Sequence, residues 1–139
     1  MKKTIILAFL LVAVISNGIS GQVRRKAVSV EAFWQKFKKA VAAKNTENIA
    51  ALSAFPVRMP YGIKSLRNKM QLKKNYREVF SRQTNAAKCF DTAKPEIDPD
   101  NAKLFTIACA DDAGNETVIY NFVKTKTGWK FAALDNINE

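Results

Sequence analysis

The chain has 139 residues, of which 47% are hydrophobic and 25% charged, a composition that excludes disorder and collagen and suits one compact core. Lys and Arg number 23 against 12 Asp and Glu, a formal net charge of +11, and five Gly with four Pro leave no room for a long linker or low-complexity tract. Histidine is absent. That removes Ser-His-Asp and Cys-His nucleophiles, His-ligated zinc and imidazole acid-base chemistry together, because each needs a ring that titrates near neutrality or ligates as a neutral base.

Met1, Lys2 and Lys3 make a cationic start, followed by an apolar run over residues 4–15 and the small, polar Ser16-Asn17-Gly18-Ile19-Ser20-Gly21. This is the layout of a secretory signal peptide. A run of about 12 residues covers roughly 18 Å as a helix, short of a hydrocarbon core of about 30 Å, so residues 1–21 are read as a removable address. Gly18 and Ser20, or Ser16 and Gly18, supply the small side chains a signal peptidase needs. No cysteine follows the apolar run, which gives no support to a lipid anchor. Residues 22–139 are then one exported domain, periplasmic or secreted; the alternative is an uncleaved N-terminal anchor.

Ser29 precedes Val30, Phe33, Phe37 and Val41, whose spacing makes one apolar stripe and predicts a helix of about four turns with Trp34 beside it. Ser29 is its candidate N-cap, Glu31 suits its first turn, and Asn45 marks its end. Thr46 is the candidate cap of a short second helix over 47–53, stopped by Phe55-Pro56. Residues 57–61, with Pro60 inside, read as a short edge strand. A third helix is predicted over 68–83, with Met70, Leu72, Tyr76, Val79 and Phe80 apolar and Lys69, Lys73, Lys74, Arg77 and Arg82 on the solvated side.

From Ala86 the period changes to two, and strands are predicted over 86–94, 103–110, 117–125 and 129–135. Hairpins centred near Pro99, Ala113-Gly114 and Thr127 put Ala87, Cys89, Phe105, Ile107, Cys109, Val118, Tyr120, Phe122, Trp129 and Phe131 on one face, which must be covered. Lys88, Phe90, Thr106, Ile119, Asn121, Val123, Lys130 and Leu134 then fall on the other face, a mixed surface for water or a second copy of the chain. A hairpin about Pro99 sets Cys89 opposite Cys109, and an oxidising compartment favours their pairing as a disulfide. Two unpaired core thiols are the alternative.

Helices followed by an antiparallel meander with one aromatic face argue an α+β domain: three N-terminal helices packed on a curved antiparallel sheet of four long strands plus a short edge strand. This order, with Phe33-Trp34-Gln35-Lys36-Phe37 opening and Gly128-Trp129-Lys130-Phe131 closing, resembles the nuclear transport factor 2-like superfamily, which includes ketosteroid-isomerase-like and SnoaL-like proteins. The resemblance covers about residues 28–137 and implies a cystatin-like cone with a hydrophobic mouth. It also implies a range of roles, from isomerases, dehydratases and cyclases to non-catalytic binding and dimerisation modules, so the fold leaves the activity open.

Enzymes of that superfamily place an Asp or His base and a Tyr or Asp proton donor inside the cone, and no such motif carries over here. The inward face as predicted offers Tyr120 with Asp91 or Asp135 as an acid-base pair, the alternative being a satisfied phenol with rim carboxylates. No residue is assigned as catalytic. Phe33, Trp34, Phe37, Tyr120, Phe122, Trp129 and Phe131 are the candidate lining of a pocket for a small apolar ligand, or else plain core. Asp98-Pro99-Asp100-Asn101 and Asp111-Asp112-Ala113-Gly114-Asn115-Glu116 have the wrong spacing for a calcium loop and read as solvated turns. Asn115-Glu116-Thr117 has the form of a glycosylation sequon, discounted because the opening Met-Lys-Lys-Thr looks bacterial. No metal or cofactor is expected.

Residues 64–88 hold Lys64, Arg67, Lys69, Lys73, Lys74, Arg77, Arg82 and Lys88 against Glu78 alone. For an exported chain the counterpart of such a basic face is an anionic envelope component rather than nucleic acid, the alternative being a surface that only keeps the protein dissolved. The expectation is a non-catalytic binding or interaction domain, with homodimerisation through the outer sheet face. A cone-pocket isomerase or lyase acting on a small apolar carbonyl compound is the rival. A cystatin-type protease inhibitor ranks last, since its Gln-x-Val-x-Gly hairpin is missing.

Overall fold

The computed structural model describes residues 28–60, 62–111 and 113–137. The expected signal peptide lies outside them. The first helix, α1 (Val30–Ala42), starts as its sequence predicts: Ser29 Oγ accepts from the amide of Ala32 at 3.1 Å, and Glu31 and Lys39 sit at the ends the helix dipole favours. Lys44, at φ 52°, reverses the chain, which makes Asn45 rather than Thr46 the cap of α2 (Thr46–Ala51); its Oδ1 accepts from the amide of Asn48 at 3.0 Å.

The edge strand comes earlier than predicted. β1 (Ser53–Arg58) contains Phe55-Pro56, pairs with the last strand, and runs parallel to it. Pro56 is tolerated because β1 is at the sheet edge, where a missing N–H costs no ladder bond on the open side. The predicted third helix is two short ones, α3 (Lys69–Lys74) and α4 (Tyr76–Phe80). Between them Asn75 turns its side-chain amide onto the carbonyl of Gln71 at 2.8 Å, the local competition for backbone acceptors that makes Asn a poor interior helix residue.

The strand predicted over 86–94 is a helix, α5 (Ala86–Thr92). Asn85 Oδ1 caps it through the amide of Lys88 at 3.1 Å. The segment carries both periods: Ala87 and Cys89 alternate, yet Ala86, Cys89, Phe90 and Ala93 follow helical spacing, and burial of Ala86 and Phe90 selects the helix. Phe90, expected on the outer sheet face, is therefore core, Lys88 is exposed on a helix, and Ala87 is only half-buried.

Beyond Pro95 the chain forms β2 (Glu96–Ile97), β3 (Leu104–Ala110), β4 (Thr117–Thr125) and β5 (Gly128–Asn136). The sheet order is β1-β5-β4-β3-β2, antiparallel except at β1. Five strands are present, as expected, but three are long and β2 has two residues. The β3–β4 register follows the predicted hairpin, with Phe105 opposite Phe122 and Cys109 opposite Val118. A bulge in β5 opposite Asn121 and Phe122 places an extra residue between Phe131 and Ala133. Past it Leu134 faces inward opposite Tyr120, the reverse of the predicted face, because one inserted residue exchanges the two sides of a strand.

The helices pack on the concave face of this curved sheet. Phe105, Ile107, Cys109, Val118, Tyr120, Phe122, Trp129 and Phe131 are buried there against Phe33, Trp34 and Phe37 of α1. The disulfide Cys89–Cys109 is formed, with Cα atoms 5.9 Å apart. It joins α5 to β3 rather than bridging a hairpin, since the hairpin partner of β3 is β2, with Glu96 opposite Thr106.

Replacing both cysteines (Cys89→Ser, Cys109→Ser) opens a loop whose ends are 20 residues apart in sequence. The loss of unfolding free energy should be about 3 kcal/mol, read from urea unfolding midpoints. A variant within about 1 kcal/mol of the native chain would show that α5 holds to β3 without the bond.

Candidate functional site

The seven candidate pocket residues come together on the concave side. Phe37 lies 5.0 Å from Phe122 and 5.6 Å from Phe131, ring centre to ring centre. Phe33 approaches Phe122 at 5.8 Å and Trp34 approaches it at 6.0 Å. Trp129 meets Phe105 edge-on at 5.1 Å, while Tyr120 stacks on Phe80 and meets Phe90 edge-on at 5.0 Å. All seven are at most 5% exposed, so the hollow of the sheet is occupied by rings at the separations of ordinary aromatic packing. Phe80, Phe90 and Phe105 belong to the same cluster. Phe80 and Phe90 carried no inward signal at a period of two, since both are on helices.

Tyr120 is the polar group of this interior. Its hydroxyl donates to the carbonyl of Val79 at 3.0 Å and has Thr84 Oγ1 at 3.4 Å. Thr84 is itself buried, in the link between α4 and α5, and nothing in its sequence context distinguishes it. Burial pushes the Tyr120 phenol well above its ordinary range, the hydrogen bond with Thr84 opposes the rise, and Tyr76 adds to it. A phenol so placed holds its proton and keeps its donor on a backbone acceptor.

Neither predicted carboxylate joins it. Asp91 is exposed on α5. Asp135, put inward by the unbulged register, stands on the outer side of the sheet, where Arg58 donates to both of its oxygens at 2.6 and 2.9 Å and Asn121 Nδ2 donates at 2.9 Å. The bulge is the cause, since it turns Leu134 in and Asp135 out. The acidic loops build their own turns: Asp98 Oδ1 accepts from the amides of Asp100 and Asn101 at 2.8 and 2.9 Å, and Asp111 Oδ1 accepts from that of Asn115 at 2.7 Å. Among the described residues no three Asp, Glu or Cys side chains converge as metal ligands.

Two of the surface recesses that flank the helices are the following. One, of about 500 Å³, lies between α1 and the α5–β2 link and is lined by Val30, Trp34, Lys38, Asp91 and Ile97. Trp34 reaches its floor and donates through Nε1 to the carbonyl of Ala93 at 3.3 Å. The other, of about 780 Å³, is bounded by Lys64, Arg67, Gln71 and Lys74. Of the basic run, Lys73 pairs with Glu47 and Arg82 with Glu78.

The buried phenol sets a pH dependence. A tyrosine of the unfolded chain ionises near its ordinary value of 10.0, whereas Tyr120, by deep burial, and Tyr76, by partial burial, keep their protons above it in the fold. Above that pH the unfolded chain binds fewer protons, so stability is whole below about pH 10 and falls as pH rises further. Urea midpoints taken at neutral and strongly alkaline pH should show this fall, and Tyr120→Phe should make it shallower. An equal alkaline fall in Tyr120→Phe would place the cause elsewhere.

No protein-family model matches the chain, and no curated protein matches it. Solved structures do. A ketosteroid isomerase-like protein from Erwinia carotovora atroseptica is 16% identical, with 81% of this chain and 95% of that one covered and a TM-score of 0.45. An NTF2-like protein with a cystatin-like fold from Novosphingobium aromaticivorans is 10% identical over 75% of each chain, with a TM-score of 0.43. A domain of unknown function with a cystatin-like fold from Nostoc punctiforme is 16% identical over 78% of this chain and 74% of that one, with a TM-score of 0.42.

Proposed function

We propose that the chain is an exported, non-catalytic binding or interaction domain that meets its partners through its surface. One observation supports this above the rest: the hydroxyl of Tyr120 is spent on Val79 and Thr84, and both acids that could have worked with it are outside the ring-filled hollow. Proton abstraction beside a carbonyl needs a base within reach of substrate and a donor aimed at the developing oxyanion, and these side chains supply neither inside the sheet. The formed disulfide is in keeping with export, and no described helix is long and apolar enough to cross a membrane.

The rival reading, a cone-pocket isomerase or lyase, requires the rings to part for a small apolar carbonyl compound. Titrating a cyclic ketone while following thermal unfolding and tryptophan fluorescence separates the two. The interaction-domain reading expects no saturable change. Saturable binding accompanied by exchange of the ketone's α-hydrogens with solvent, both lost in folded Tyr120→Phe, would establish the rival instead, and binding without exchange would mean a non-catalytic apolar pocket.

Homodimerisation belongs to the same reading. The outer face of β3–β5 is not covered by any described helix, and Ile119 and Val123 are only half-buried on it. Sedimentation equilibrium at micromolar concentration should give a dimer that Val123→Lys converts to a monomer, since a charge on that face would be buried without a partner. A native chain that stays monomeric through that range excludes the dimer.

A further inference from the structure

Charge is segregated along this chain. Residues 36–88 carry thirteen Lys and Arg against Glu47 and Glu78, whereas residues 91–116 carry seven Asp and Glu against Lys94 and Lys103. The two acids of the basic segment are already engaged, Glu47 with Lys73 and Glu78 with Arg82. Among the described residues, Lys64, Arg67, Lys69, Lys74 and Arg77 have no carboxylate at ion-pair distance, and all five are exposed.

Lys64, Arg67 and Lys74 line the recess of about 780 Å³ between the segment after β1 and the α3–α4 pair. The buried Met59 and Leu66, the exposed Ile63, and Gln71 and Asn75 line it as well. Glu78, held by Arg82, closes one end and also lines a second recess of about 580 Å³ with Arg77, Ser81 and Arg82. The two recesses therefore adjoin, cations stand on both, and the one carboxylate between them is neutralised. Like charges gathered around one recess repel one another, and an anion laid among them relieves that cost.

We propose that this double recess binds an acidic polysaccharide, a sugar chain bearing carboxylate or sulfate groups at regular intervals. Two adjoining concave sites with cations on each fit a linear ligand whose anions repeat. A bilayer fits less well. Leu72, Val79 and Phe80 are buried in the core and the exposed Met70 is a single apolar side chain on α3, so the two helices present no continuous apolar face to insert. A protein partner would call for an apolar or aromatic centre, whereas seven of the ten residues around this recess are polar or charged and none is aromatic. The inference rests on the interaction-domain reading and names its partner.

The test is isothermal titration of the whole mature protein with a heparin oligosaccharide, for sulfate, and an alginate oligosaccharide, for carboxylate, at low and at physiological salt. Phosphatidylglycerol vesicles and a single-stranded oligonucleotide complete the set. The native protein should bind at least one of the two oligosaccharides, more weakly as salt screens the cations. Lys64→Glu/Arg67→Glu/Lys74→Glu should lose at least about tenfold in affinity. Lys94→Glu/Lys103→Glu/Lys126→Glu, which changes net charge equally on exposed positions elsewhere, should lose less than about threefold. If the first variant does not fold by circular dichroism, Lys64→Gln/Arg67→Gln/Lys74→Gln reads the same site. Binding to neither oligosaccharide, equal losses in the two variants, or tighter binding to vesicles or oligonucleotide than to either sugar would overturn the proposal. None of these results touches the ketone titration, so the site can fail while the interaction-domain reading stands.

Discussion

The ring of Phe37, with no exposed surface, fills the hollow of the sheet and meets Phe122 of β4 edge-on and Phe131 of β5 at a tilt. Phe80 of α4 and Phe90 of α5 close on it from the helical side. One side chain thus ties the first helix to two central strands and two later helices. This matters because α3, α4 and α5 have only six, five and seven residues. Helices so short have no stability of their own in water, so they persist only by burying Leu72, Val79, Phe80 and Phe90 against this cluster. The disulfide adds a covalent tie at the point where α5 crosses β3.

The interior is built for packing: the rings lining the hollow of the sheet are in mutual contact, and the buried phenol of Tyr120 donates to a backbone carbonyl. Among the described residues, by contrast, no charged side chain is fully buried, and charge is unevenly placed, with cations of residues 64–77 around recesses beside α3 and α4. Core and surface therefore differ in character: the hollow of the sheet is packed with rings, and on the proposed reading the charged helical side is where another molecule would be recognised.

The outer side of the sheet has its own organising detail in the β5 bulge. By turning Asp135 outward it brings that carboxylate between Arg58 of the edge strand and Asn121 of β4, a fork-to-fork pair with an added amide donor across three strands. Arg58 is largely exposed, so the pair contributes about 1 kcal/mol or less, and its effect lies in fixing how β1 joins the sheet.

What the amino-acid order settled by itself was local or periodic: the capped amphipathic first helix, the alternation of β3 and β4, the turn positions near Gly114 and Thr127, and the aromatic side of the sheet. Each rests on interactions between residues near in sequence or on a repeat long enough to have one reading. Residues 86–93 satisfied two periods at once, and the contact of Phe90 with Trp34 and Tyr120, distant in sequence, selected the helix. The break at Asn75, the parallel pairing of β1 with β5 and the bulge that expelled Asp135 were likewise decided only when the chain closed on itself. Pairing of Cys89 with Cys109 was legible although its setting was not, because compartment and parity argue for a bond without saying which elements it joins. The candidate site divides the same way: residue types and net charge can be read along the chain, but whether a hydroxyl is free or cations share one recess depends on which distant segments meet.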